Sequence, residues 1–141
     1  MLVTDEALYV IRQWVEKAEN DYITAVHTLK LGKKCPTDTV CFHTQQCVEK
    51  YLKSLLIFED EDIRKTHDIG LLISLLSPRH RPKLTVEEQR LLTGFAIFTR
   101  YPGDYDPISL KQAREAVAMA RRVRKQVRAL LPPASLKLER D

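Results

Sequence analysis

The sequence holds no apolar run long enough to cross a bilayer, so a membrane-spanning helix is not expected. Its first residues (Met1, Leu2, Val3, Thr4, Asp5, Glu6) lack the basic start and apolar centre of a signal peptide. Cysteine is scarce: Cys35, Cys41 and Cys47 are odd in number and form no C-x-x-C pair, which argues against a disulfide framework and against a zinc site. A reducing cytoplasm is the expected setting, with no metal and no cofactor. Glycine is also sparse, and no Gly-rich phosphate loop, H-E-x-x-H or G-x-S-x-G is present. No segment alternates with period two for long enough to make a strand.

What remains is ordinary for one globular domain. The 141 residues are 44% apolar and 30% charged, enough to bury a core without cross-links. A net charge of +4 permits contact with nucleic acid without demanding it. Residues 1–133 are read as one helical domain, and 134–141 as a disordered tail after Pro132-Pro133.

Leu8, Ile11, Val15, Ala18, Tyr22, Val26 and Leu29 recur at steps of three and four, the signature of one helix face. With Thr4 as N-cap and Gly32 as stop, this predicts a first helix of about 40 Å. A second helix runs from a cap at Thr37 or Asp38 to Phe58, with Cys41, Val48, Tyr51, Leu52 and Leu55 on its apolar face. An acidic connection, Glu59-Asp60-Glu61-Asp62, follows. Thr66 is expected to cap a short third helix ending before Pro78. Thr85 and Glu88 form a capping box for a fourth, which stops at Tyr101-Pro102-Gly103. Asp106 and Pro107 are expected to start the fifth, whose stripe runs from Leu110 to Leu130. Long amphipathic helices joined by short connections predict an all-α fold, an antiparallel up-and-down four-helix bundle with an additional short helix.

Four groups of residues are candidates for chemistry. His43, Gln46 and Lys50 share the side of the second helix opposite its apolar stripe. They read as a solvated face, or as a ligand groove or protein surface; Phe42 and Ile57 beside them favour a subunit interface. Thr66-His67-Asp68 reads as a helix start, although an imidazole there is able to move a proton. In the break at Thr99-Arg100-Tyr101-Pro102-Gly103-Asp104-Tyr105, the Arg100 guanidinium suits phosphate, and Tyr101 and Tyr105 suit base stacking. The alternative is that these aromatics cover the end of the bundle. The fifth helix is basic, with Arg114, Arg121, Arg122, Arg124, Lys125 and Arg128 against Glu115. It carries no interleaved aromatics, so a solvated face is expected over a phosphate-tracking surface.

These blocks also fit a known pattern. Trp14 with Ala18-Glu19-Asn20-Asp21, the run from Cys41 to Lys53 (Cys-Phe-His-Thr-Gln-Gln-Cys-Val-Glu-Lys-Tyr-Leu-Lys), Thr66-His67-Asp68-Ile69 and Thr99-Arg100-Tyr101-Pro102 follow in the order and approximate spacing of one family. From Ala7 to Leu130 the chain resembles the HEPN domain, the higher-eukaryote and prokaryote nucleotide-binding domain. The resemblance implies the same bundle, a homodimer, and binding of RNA or a nucleotide. Many prokaryotic relatives are paired with a minimal nucleotidyltransferase in toxin–antitoxin modules. It therefore marks Arg100, Tyr101, Asp104, Tyr105, His43, Gln46 and Lys50 as ligand-binding candidates. Some members are metal-independent ribonucleases whose activity is tied to Arg followed by His four to six residues later. Here Arg100 stands at the Arg position, but none of Tyr101 to Pro107 is His. No histidine among His27, His43, His67 and His80 has an Arg at that distance upstream. Catalysis is thus left open, with Arg100, His43 and His67 as its candidates. A non-catalytic dimeric interaction domain is a further alternative.

Overall fold

The computed structural model describes residues 3–97, 99, 101–103 and 105–138. Five α-helices, with short 3-10 turns and loops between and after them, make up the described chain, with no strand among those residues. The helices are α1 (Asp5–Leu29), α2 (Thr37–Phe58), α3 (Ile69–Leu75), α4 (Val86–Ile97) and α5 (Leu110–Leu130). The four long ones form an antiparallel up-and-down bundle, and α3 is the additional short helix packed on α2 and α4.

The apolar stripes explain the arrangement. Ile11, Val15 and Ala18 of α1 and Ala113, Val117, Ala120, Val123 and Val127 of α5 are buried, as their periodicity predicts. Side-chain pairs give the directions. Asp21 of α1 meets His43 and Lys50 of α2, whereas the earlier Trp14 meets the later Lys53, so the two helices run antiparallel. Likewise Tyr22 meets Arg121 of α5 and Glu19 meets Arg124. α2 lies at the centre, against α1, α5, α4 and α3. It is consequently buried on more than its apolar face: Gln45, Glu49 and Lys53 are buried with Tyr51, Leu52 and Leu55.

Helix existence follows the sequence more closely than helix ends do. Thr4 caps α1 by accepting from the Ala7 N–H, but α1 ends at Leu29, before Gly32, whose φ of +61° lies in the following 3-10 turn. Neither Thr37 nor Asp38 caps α2. Pro36 occupies the cap position and the Thr37 hydroxyl donates to the Ile108 carbonyl instead. Asp68, not Thr66, caps α3. The Thr85–Glu88 capping box forms as expected, with bonds of 3.0 and 2.9 Å. At α5 the cap is Ser109, in a reciprocal box with Gln112, and Asp106-Pro107 remains outside the helix.

Segment 134–141, read from sequence as a disordered tail, is described as far as Leu138. Ser135 and Leu138 are buried, and the Ala134 carbonyl accepts from the Arg12 guanidinium at 3.1 and 3.3 Å. This part of the tail therefore docks on α1.

Candidate functional site

The polar side of α2 is organised by carboxylates that sequence reasoning did not single out as site residues. Asp21, on α1, sits three residues after buried Ala18 and four before buried Ala25, so its position on the helix turns its carboxylate into the bundle. There Oδ1 meets His43 Nδ1 at 2.8 Å, and Oδ2 accepts from Lys50 Nζ at 2.6 Å. Two residues a full heptad apart on α2 are thereby drawn onto one anion. The pairing of His43 through Nδ1 leaves Nε2 as its free nitrogen, on a side chain 29% exposed. Phe42 stacks edge-on against the same ring, with centroids 5.6 Å apart.

Gln46, between them, turns the other way. Its amide donates to Gln45 Oε1 at 2.6 Å, and Gln45 in turn donates to Glu49 Oε1 and to the His67 carbonyl. Glu49 also meets His67 Nδ1 at 2.7 Å and accepts from Lys53 at 2.9 Å. Burial opposes charge on Glu49, but the bonds from His67, Lys53 and Gln45 outweigh it and hold its carboxyl below the usual range. His67 is therefore a partner of Glu49, tethering the loop before α3 to α2. The structure gives it this structural bond and keeps its side chain half exposed.

The solvated-face reading fails on α2 and holds in large part on α5, where Arg114, Arg121, Arg122 and Lys125 are exposed. His43 and Lys50 are part-buried and bonded across to α1. On α5, Arg124 binds Glu19 through two bonds, Arg122 binds Glu88 and the Lys83 carbonyl, Arg121 donates to the Tyr22 hydroxyl and Arg128 to the Tyr51 hydroxyl. Arg124 and Arg128 are thus part-buried between helices, whereas Arg121 and Arg122 make their bonds at the exposed surface.

Arg100 and Asp104, the central candidates of the break before α5, lie outside the described residues. Thr99 and Tyr105, on either side of them, abut the first turns of α2. The Tyr105 hydroxyl donates to Asp38 at 3.0 Å, and Thr99 lines a small cleft of about 160 Å³ with Asp38, Thr39 and Phe42. Tyr101 is 58% exposed. The break and His43 accordingly share the N-terminal half of α2.

Cys41 and Cys47 are buried, and burial raises their thiols, Cys41 to about 12, so neither is a ready thiolate. Among the described residues no cluster of metal-ligating side chains is assembled, and no helix is long and apolar enough to cross a membrane.

A four-helix bundle whose central helix is lined with buried ion pairs is the class defined by this fold and site. The HEPN domain model matches residues 11–130, and the chain belongs to that family. Two solved structures are similar. TT1696 from Thermus thermophilus is 26% identical with a TM-score of 0.71, over 86% of this chain and 98% of its own. ST0689, described as an archaeal HEPN homologue, is 25% identical with a TM-score of 0.66, over 85% of this chain and 96% of its own. No curated protein matches the chain.

Proposed function

We propose that this protein is an RNA- or nucleotide-binding module, acting in the cytoplasm as a homodimer beside a minimal nucleotidyltransferase in a toxin–antitoxin-like pair. The observation that supports it is the convergence of His43 and Lys50 on Asp21, on the same stretch of α2 that the Thr99–Tyr105 break abuts. Asp21 neutralises Lys50, so this half of the site offers directed hydrogen bonds rather than bulk positive charge. Phosphate charge is left to Arg100, and base stacking to Tyr101. Titrating labelled RNA, ATP and GTP against wild type, Arg100→Ala and Asp21→Asn tests the reading. Saturable binding that both substitutions weaken is expected; absence of saturable binding to any of the three at moderate salt refutes it.

One observation favours a second reading, a metal-independent endoribonuclease. An imidazole held through Nδ1 by a buried carboxylate, with Nε2 open, is the arrangement of a general acid–base. Asp21 would orient His43, and Arg100 would stabilise phosphate charge. Incubation with total RNA in chelator separates the readings. Cleavage lost in both His43→Ala and Arg100→Ala supports the enzyme, and an intact RNA profile at many enzyme equivalents excludes it.

A further inference from the structure

The far end of α2 carries another carboxylate–histidine pair, about 24 Å along the helix from His43 at the standard rise. Glu59 follows the last residue of α2, with its side chain only 8% exposed. Its Oε1 accepts from the Ser77 backbone N–H at 2.9 Å and the Ser77 hydroxyl at 2.8 Å, and Oε2 meets His80 Nδ1 at 2.6 Å. The hydroxyl is bonded to the carboxylate and not to the imidazole, so this is no serine nucleophile. The arrangement instead fixes the His80 ring and answers the charge of Glu59 from within the protein. Nε2 is the nitrogen left over. Among the described residues the only fully buried side-chain polar atom without a partner is Thr44 Oγ1, so His80 Nε2 keeps some exposure, on a side chain 15% exposed. His80 lines a cleft of about 360 Å³ together with Phe58, Glu59, Ser77, Arg79 and Leu130. Arg79 is exposed and forms no ion pair with a described carboxylate.

We propose that this cleft binds a small phosphomonoester carrying an aromatic or apolar body. The phosphate would lie between the Arg79 guanidinium and His80 Nε2, and the body against Phe58 and Leu130. A cation is disfavoured because both oxygens of Glu59 are already engaged. Nδ1–H bonded to Glu59 leaves Nε2 of the neutral ring to accept from the P–OH of a monoanion, and as imidazolium it donates to the dianion. The planar fork of Arg79 matches phosphate oxygens. The cleft volume is at the small end of ligand sites, which suits a single ring and its phosphate but not a polynucleotide. The site is separate from the α2–α1 cluster and does not depend on its function.

The test follows the His80 imidazole nitrogens by NMR in the full chain, titrated with phenyl phosphate, inorganic phosphate, benzoate and phenol. A saturable Nε2 shift with phenyl phosphate is expected, with each of the other three about ten-fold weaker or more, since each lacks the phosphate or the ring. Arg79→Gln, a surface change, is expected to weaken phenyl phosphate about ten-fold. Unchanged His43 signals in that variant report an intact fold. No saturable shift, equal affinity in Arg79→Gln, or benzoate binding as tightly as phenyl phosphate overturns the assignment.

Discussion

Glu19 is the point at which three helices share one charge, and replacing it gives the sharpest test of how the bundle is held. Its side chain is 9% exposed on α1. Arg124 of α5 grips it with Nε at 2.6 Å and Nη2 at 3.1 Å, and the buried Tyr51 hydroxyl of α2 donates to the same oxygen as Nε. Arg128 approaches at 3.6 Å and also donates to that hydroxyl. In Glu19→Gln the shape is kept, but one carboxylate oxygen becomes an N–H₂ facing guanidinium donors. Breaking a fully buried pair costs about 3–5 kcal/mol. Arg124 is 30% exposed and regains some water, so about 2–3 kcal/mol is expected at neutral pH. For a chain of this size that is a fall in Tm of roughly 6–12 °C. The pH dependence has a definite sign. Burial raises the Glu19 pKa, but the bonds from Arg124 and Tyr51 and the nearby cations outweigh it, so the folded value lies below the ordinary 4.5. The contribution is therefore full above pH 4.5 and is lost as pH falls through the folded value. Urea unfolding followed by circular dichroism at pH 7 and at steps below pH 4.5 measures both effects. The gap between wild type and Glu19→Gln must close as the pH drops. A gap under about 0.5 kcal/mol at pH 7, or one that stays constant down to about pH 3, refutes the reasoning.

Ser109→Ala should cost about 1 kcal/mol by removing the cap of α5, whereas Asp106→Ala should stay within about 0.5 kcal/mol; equal costs in chemical denaturation would place the helix start wrongly. Leu52→Ala, fully buried on α2, should cost about 2–5 kcal/mol in the same measurement, and a cost below about 1 would contradict its place in the core. Of the three cysteines only Cys35 should react readily with a thiol reagent in the native state. Cys41 and Cys47 should follow the rate of unfolding, and fast labelling of either would contradict its burial.

The helices were legible because each needs an apolar stripe, and stripes are written at a period of three to four residues. Caps were legible at Thr4 and at the Thr85–Glu88 box but not at α2, α3 and α5, where several polar residues near the helix start are equally eligible and the choice falls to tertiary contacts. Thr37 is drawn off by the Ile108 carbonyl, and the Asp106-Pro107 pair is overruled by Ser109 and Gln112 three residues later. The partners of the site were missed for a related reason. Asp21 and Glu19 lie on or beside the buried stripe of α1, and a carboxylate in register with alanines and valines is itself the signal that a cation will come to meet it. That signal was present in the spacing from Ala18 and Ala25. The basic, largely exposed face of α5 is legible in composition, but the bonds of Arg122 to Glu88 and of Arg124 to Glu19 are not, since only the fold shows which arginines face carboxylates on other helices.

A common physical cause lies behind these ion pairs. Once α2 is surrounded by four neighbours, most of its polar residues are drawn out of water, and a charged one among them must find a partner or destabilise the bundle. His43, Glu49 and Glu59 meet this demand in the same way, by joining a carboxylate to an imidazole Nδ1. Each pair also ties α2 to a different neighbour: His43 to α1, Glu49 to the loop before α3, and Glu59 to the turn before α4. The consequence for function is that three imidazoles are oriented by the requirement of burial itself. In the one beside the Thr99–Tyr105 break, the carboxylate that joins α2 to α1 is also the carboxylate that fixes the ring and leaves Nε2 unbonded.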